Sequence, residues 1–271
     1  MARCRVRRGY KILFIVGCLL SSCADSDEPE SPASACQLLE QEGSAEHPKI
    51  IGGMVCSQET VPVAKIALYD DEDNRDLCTG VLIASRFVLS AAHCLHDAIV
   101  RVTVGFGDKT YGISAAYVHP LYRTSGDKLL NDLMIYELVE SPEKLKPVRL
   151  VGQEPVGVGT DLYLFGYGFA TAGSLPIDEL GILRAGVTTI ESVNQDFITA
   201  RFHEGGSNIC FGDSGGPAIV LQENQPLLVG ITSSGSNSAC GVGDVSSFVN
   251  LQGQGAQRFI QDALGGKLVR E

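Results

Sequence analysis

The chain has 271 residues, 44% of them hydrophobic and 20% charged, which is enough for a full buried core and excludes a disordered tail, a collagen-like repeat, a coiled coil or a small disulfide scaffold. The formal net charge is −11, and the first 22 residues carry five bases (Arg3, Arg5, Arg7, Arg8 and Lys11) and no acid, so the remainder stands at −16. A surface that acidic repels phosphate backbones and excludes nucleic acid as a general partner.

The N-terminus reads as an export signal. Residues 1–11 are basic, Ile12 to Leu20 are apolar, and Leu20-Ser21-Ser22-Cys23 follows at once. The apolar run is too short to span a bilayer, where about 18 residues are wanted, so a cleavable signal over residues 1–22 is expected. Leu-Ser-Ser-Cys resembles the lipobox of bacterial lipoproteins, which implies acylation of Cys23. The alternative is an ordinary signal with an incidental cysteine. Ile15-Val16-Gly17-Cys18 fits the same pattern but leaves a very short apolar region. Residues 24–35 have no apolar periodicity and read as a solvated acidic spacer.

Of nine cysteines, Cys4 and Cys18 leave with the signal and Cys23 carries the lipid, leaving Cys36, Cys56, Cys78, Cys94, Cys210 and Cys240. An even set of six in an exported chain implies an oxidising compartment and up to three bridges, with fifteen possible pairings. Cys78, His93, Cys94 and His96 offer zinc-ligand chemistry but lack paired C-x-x-C knuckles, so no metal is expected.

Thirty-one glycines and eleven prolines break the chain from residue 61 onward into short apolar stretches. These are Val61 to Tyr69, Val81 to Leu89, Ile99 to Phe106, Leu133 to Leu138 and Leu162 to Phe165, then Ile182 to Ile190, Phe197 to Phe202, Pro217 to Leu221, Leu227 to Thr232 and Val245 to Leu251. Many strands with almost no helical pattern between them predict an all-β antiparallel sandwich or barrel. One helix is predicted at the end, where Ala256, Phe259, Ile260, Ala263 and Leu264 share a face before Gly265-Gly266. The acidic run Asp70 to Asp76 lacks the ligand spacing of an EF-hand and reads as a hairpin loop. Gly166-Tyr167-Gly168 and Gly241-Val242-Gly243 never complete G-x-G-x-x-G, so no dinucleotide site is expected.

The chemistry lies in three segments. Gly212-Asp213-Ser214-Gly215-Gly216-Pro217 surrounds a serine with glycines, which let backbone N–H groups approach a carbonyl closely. The G-x-S-x-G spacing also occurs in α/β-hydrolases, but those need a histidine after the serine, and none follows Ser214. His93, in Leu89-Ser90-Ala91-Ala92-His93-Cys94, sits where a strand ends in small residues beside a cysteine. Asp132 opens the apolar run Leu133-Met134-Ile135-Tyr136, and a buried aspartate needs a partner such as an imidazole to orient.

Together, Ile50-Ile51-Gly52-Gly53, Ala91-Ala92-His93-Cys94, Asn131-Asp132-Leu133-Met134 and Gly212 to Pro217 resemble the trypsin/chymotrypsin-like serine proteases, in that family's order. The likeness runs from residue 50 to about 264. It implies two packed antiparallel β-barrels with a C-terminal α-helix, and a serine endopeptidase acting on proteins or peptides without a cofactor. His93 resembles the general base, Asp132 its orienting acid and Ser214 the nucleophile, with Gly212 and Ser214 N–H as the oxyanion hole. Gly166-Tyr167-Gly168 resembles the family's Gly-Trp-Gly, and His119-Pro120 its His-Pro turn, making His119 structural. A non-catalytic homologue that binds a partner is the rival, yet such homologues commonly lack a triad member and this chain keeps all three.

The resemblance also implies bridges Cys78–Cys94 and Cys210–Cys240; Cys36 and Cys56 are left over, a departure from the commoner family pattern, and a bridge between them would keep the propeptide attached. Lys49-Ile50 resembles the activation bond, implying a zymogen cut by a trypsin-like protease, after which the Ile50 ammonium pairs with Asp213. The chain then divides into a lipoprotein-type signal (1–22), an acidic spacer and propeptide (23–49) and a protease domain (50–271), either secreted or held at the cell envelope through Cys23. The primary pocket is assigned to Asn208, Ile209, Ser233, Gly235, Gly243 and Asp244. Asn208 stands where an aspartate selects Arg or Lys, while one alignment places Asp244 on the opposite wall as a substitute carboxylate, and a shift of one residue turns it outward. Gly235 and Gly243 leave the pocket open to a long side chain, which favours Arg or Lys over a chymotrypsin-like or polar preference.

Overall fold

The short apolar runs pair with their chain neighbours into two antiparallel sheets. They are described from a computed structural model that covers Cys36 and residues 50–265 apart from 59, 127, 153–154 and 174–176. The leader, Cys23, most of the spacer and Lys49 lie outside the described residues.

A two-residue strand β1 (Met54–Val55) precedes β2 (Val63–Tyr69), β3 (Arg75–Ala84), β4 (Phe87–Ser90), β5 (Arg101–Phe106), β6 (Lys109–Tyr111) and β7 (Ile113–Val118). A small hairpin, β8 (Arg123–Ser125) and β9 (Lys128–Leu130), leads into β10 (Met134–Leu138). The first sheet runs β6-β5-β2-β3-β4-β10-β7, and among the described residues its edge strands do not pair, so it curls without closing. The second half holds β11 (Arg149–Leu150), β12 (Asp161–Gly166), β13 (Arg184–Val193), β14 (Phe197–Arg201), β15 (Pro217–Gln222), β16 (Gln225–Gly235) and β17 (Val245–Asn250). There β13-β12-β15-β16-β17-β14 closes on itself through the β13–β14 pairing, a six-strand barrel. β1 extends it beyond β13, and β11 lies parallel to β16.

The predicted run Val81 to Leu89 is two strands, folded back so that Val81 faces Leu89. Both arms are apolar because both face the core, and two turn residues, Ser85 and Arg86, suffice for the reversal. Unbroken apolar text therefore hid a hairpin. The acidic run forms a hairpin loop, with the Asp70 carboxylate accepting the N–H groups of Glu72 and Asn74 at 2.9 and 2.8 Å.

Buried side chains from both halves share one cluster, with Ile66, Val81 and Leu133 from the first sheet meeting Phe165, Ile219 and Leu228 from the second. The Tyr167 hydroxyl crosses this boundary to donate to the Val63 carbonyl at 3.0 Å. A second cluster fills the closed barrel and contains Ile50, Leu162, Ile198, Val220 and Phe248. The predicted helix is α1 (Gln254–Leu264), burying Ala256, Phe259, Ile260 and Ala263. His119 packs its ring 4.9 Å from Phe259, and its Nδ1 accepts the Leu121 N–H at 3.1 Å. It is a structural histidine. The residues expected to be catalytic lie between the two sheets, because the β4 end (His93) and the β10 start (Asp132) come from one half and the Cys210–Gly216 loop (Ser214) from the other.

Candidate active site

His93 lies in a single 3-10 turn, Ala92–Cys94, directly after β4. Small buried Ala91 and Ala92 let the turn sink into the core, and the Cys78–Cys94 disulfide ties it to β3. Asp132 is fully buried ahead of β10. One carboxylate oxygen accepts the His93 backbone N–H at 2.8 Å, and the other meets His93 Nδ1 at 2.7 Å. An ionised carboxylate only accepts, so Nδ1 carries the proton and Nε2 is left as a base. That nitrogen lies 2.8 Å from Ser214 Oγ. Sequence reading put Ser233 in the substrate pocket. It does border that cavity, but its hydroxyl also donates to Asp132 Oδ2 at 2.6 Å. Nothing in Ile231-Thr232-Ser233 signals that bond, which exists only because β16 passes behind the aspartate.

Glycines shape the Ser214 loop by close approach. A side chain on Gly215 would run into the Ser90 hydroxyl and the Thr79 carbonyl, and one on Gly212 would come within 2.7 Å of Gly168 Cα. Gly212 also holds a left-handed φ of +96°. Among the described residues, no protein group accepts from the Gly212 or Ser214 N–H. Two unpartnered donors beside a serine hydroxyl can together hold an oxygen anion.

Behind the loop, Asp213 is 1% exposed and accepts the N–H groups of Gly168 and Cys210, each at 2.8 Å. Side chains on Gly166 or Gly168 would collide with this carboxylate, which explains the Gly-Tyr-Gly spacing. Burial pushes the Asp213 carboxyl up to about 7, against the opposing pull of those two N–H groups and the charge of Arg184. Ile50 is buried in the closed barrel, and Ile51 bridges to Asn208.

A cavity of about 390 Å³ opens beside Ser214, with Ile209, Ser233, Gly235 and Asp244 in its wall. The structure turns Asp244 inward. Its Oδ1 accepts the Ser236 N–H and hydroxyl at 2.7 and 2.9 Å and the Asn237 N–H at 2.9 Å, and its Oδ2 accepts the Asn208 amide at 2.9 Å. Asp244 is 1% exposed at that wall, and Asn208 lies behind it, outside the wall, with its remaining amide contacts to the Cys240 carbonyl and the Ser246 hydroxyl. Gly243 is likewise outside the wall, its N–H bonded to the Phe202 carbonyl. A second cavity of about 250 Å³ lies along the first sheet, bounded by Leu68, Leu77, Phe169, Leu180 and Phe211 as well as His93 and Ser214. No sequence motif marked Leu68, Leu77, Phe169, Leu180 or Phe211.

Both bridges implied by the resemblance form, Cys78–Cys94 and Cys210–Cys240, and the two left-over cysteines pair as Cys36–Cys56. Cys78, His93 and Cys94 come together as zinc ligands would, but both sulfurs are in the disulfide and provide no thiolate, and His96 is exposed outside the group. Three bridges suit export to an oxidising compartment.

A family model described as Trypsin matches residues 50–252. The chain is 30% identical to trypsin II-P29 of Gallus gallus over 208 residues, covering 69% of this chain and 80% of that protein. It is 31% identical to the trypsin of Squalus acanthias over 211 residues, 70% of this chain and 86% of the relative. Among solved structures, HL collagenase superposes with a TM-score of 0.64 over 80% of this chain and 99% of its own, at 24% identity, a likeness of fold. A curled sheet and a closed barrel meeting around histidine, aspartate and serine, and a family match across nearly the whole described domain, lead to one conclusion: the chain belongs to the trypsin family of serine endopeptidases.

Proposed function

We propose that Ser214 is the nucleophile, His93 the general base and Asp132 the residue that orients the imidazole, in peptide-bond hydrolysis through an acyl-enzyme. The observation that carries this is the continuous relay from Asp132 through His93 to Ser214 at 2.7 and 2.8 Å, beside two N–H groups without acceptors. His93 Nε2 takes the Ser214 proton as Oγ attacks the carbonyl, and the Gly212 and Ser214 N–H groups receive the oxyanion. The imidazolium then protonates the leaving amine, and water repeats the sequence on the ester. Diisopropyl fluorophosphonate should label processed protein at Ser214 alone; no label there, or label elsewhere, overturns the assignment.

The primary pocket is read as selecting Arg or Lys through Asp244. Supporting this, the carboxylate lies in the cavity wall against Gly235, where any side chain would crowd it, since a Cβ there would be 2.9 Å from Oδ2. Oδ2 accepts only the Asn208 amide among the described residues, which leaves acceptor capacity for an incoming cation. Serines at 233, 234, 236 and 238 add hydroxyl groups to a wall that Ile209 and Phe211 otherwise make apolar. Peptide-library profiling should therefore give Arg/Lys preference that Asp244→Ala lowers by about 100-fold in kcat/KM, as expected for a lost charge-assisted contact. Preference for Phe, Tyr or Leu, or indifference to the substitution, refutes this model.

The reading extends to biosynthesis: export, acylation at Cys23, and activation at Lys49 by a trypsin-like protease. Cys56 is bonded to Cys36 of the propeptide, so a cut after Lys49 leaves residues 23–49 covalently attached. The lipid, and membrane association with it, would stay with the active enzyme. Diacylation supplies the two-chain anchoring that stable association needs. In a bacterial host, activated protein should sediment with membranes, be released by reductant, and become soluble in the Cys23→Ser variant. Free propeptide on a non-reducing gel refutes the tether, and an unacylated soluble parent refutes the anchor.

A further inference from the structure

Thr79 lies in β3, wholly buried, and each of its polar atoms is bonded into the structure around Ser214. Its N–H donates to the Ser214 carbonyl at 2.7 Å, and its own carbonyl accepts the Ser90 hydroxyl at 2.7 Å. Its Oγ1 lies 2.8 Å from the Gly212 carbonyl and 3.1 Å from the Tyr167 nitrogen. Tyr167 N–H can only donate, so Oγ1 accepts there and directs its single proton at the Gly212 oxygen. A residue of the first sheet thus reaches across to the second half and grips the loop that carries Ser214.

The grip falls where the loop is freest. Gly212 reaches its left-handed φ without steric cost, and for the same reason leaves it easily. Two peptides meet at its Cα. The one that supplies the Gly212 N–H is held at its carbonyl by the Phe169 N–H, 3.0 Å from Phe211 O. The next is held at its N–H end by the Cys210 carbonyl, 3.1 Å from Asp213 N, and at the Gly212 carbonyl by the Thr79 hydroxyl. With both carbonyls restrained, the Gly212 N–H has one direction left to point.

We propose that Thr79 is a positioning residue for the oxyanion hole, its hydroxyl holding the Gly212–Asp213 peptide and so fixing the Gly212 torsions that keep the preceding peptide's N–H facing the developing oxyanion. This rests on the assignment of the Gly212 and Ser214 N–H groups as oxyanion donors. Valine has nearly the same shape but neither donates nor accepts, so the Gly212 carbonyl and the Tyr167 N–H would both lose their partner. The loss falls on the transition state, because the oxyanion forms only there, while ground-state contacts along the substrate persist.

The test compares processed parent, Thr79→Val and Thr79→Ser, each calibrated by diisopropyl fluorophosphonate titration. Thr79→Val is expected to lower kcat by about 10- to 100-fold with KM within about twofold, since a misdirected oxyanion donor costs less than a deleted one. A peptide aldehyde, whose hemiacetal oxygen enters the oxyanion hole, should bind more weakly by the same factor, while the matching peptide alcohol should bind unchanged. Thr79→Ser restores the hydroxyl and should recover kcat to within about threefold of the parent. A Thr79→Val kcat close to the parent's, equal weakening of aldehyde and alcohol, or a serine variant as impaired as valine each overturns the proposal. Where Thr79→Val does not fold, Thr79→Ala is measured against the same expectations. A parent that fails to label at Ser214 overturns the underlying assignment instead, so the two failures are distinct.

Discussion

Processed Ser214→Ala protein is expected to cleave a peptide amide about 10⁴- to 10⁶-fold more slowly than the parent. Alanine leaves no oxygen within reach of His93 Nε2, so no acyl-enzyme forms, and the remaining rate comes only from the oxyanion donors acting on water attack. The variant should keep its fold. Ser214 Oγ has His93 as its only hydrogen-bond partner among the described residues, and the loop is held by backbone bonds through Thr79, Gly215 and Gly216. Initial rates measured with matched unfolding curves check this. Residual turnover above about 1% with an intact fold would remove Ser214 from the nucleophile role.

Lys49→Gln protein, exposed to a trypsin-like protease, should stay at least about 100-fold less active than the cleaved parent, comparable to the loss of one oxyanion donor. The reason lies at Asp213. In the uncleaved chain the Ile50 nitrogen is part of a peptide bond, and the buried carboxyl is held by two N–H groups with its pKa pushed up to about 7. Cleavage creates an ammonium at Ile50, and pairing it with Asp213 would favour the carboxylate and lock the adjacent Gly212 to Gly216 loop.

The same change gives a pH signature with a defined sign. In the uncleaved protein the folded carboxyl holds its proton up to about 7, while the unfolded one releases it near the ordinary value of 3.8. Between those limits the folded state binds more protons, so this group's contribution to stability falls as pH rises. Pairing with the ammonium reverses that contribution. Urea unfolding on a Ser214→Ala background, which prevents self-digestion, should therefore show the cleaved form gaining stability over the Lys49→Gln form between pH 4 and pH 7. A gap that is constant or shrinks across that range refutes the pairing.

Much of this protein is legible without coordinates. The β class follows from short apolar runs separated by glycine and proline, the final helix from the spacing of Ala256, Phe259, Ile260 and Ala263, and three triad candidates from local contexts that few other functions require. Chain order excluded an α/β-hydrolase, because no histidine follows Ser214. Turn chemistry was weaker evidence where both arms were buried, as in the β3–β4 hairpin, since an apolar run carries no sign of its own reversal.

What the sequence by itself determined are properties carried within one segment: strand or helix periodicity, the glycines around Ser214, and the number of cysteines left to pair. Only the tertiary structure decided relations between segments far apart in the chain. It turned Asp244 into the cavity and Asn208 out of its wall, because the Asp244 carboxylate is fixed by the Asn208 amide and by the Ser236 and Asn237 N–H groups, partners brought together from separate segments. It brought the Ser233 hydroxyl to Asp132, 101 residues away, and the Thr79 hydroxyl to Gly212 across 133 residues. Serine and threonine are common strand residues, and only packing two sheets against each other gives those hydroxyls a partner.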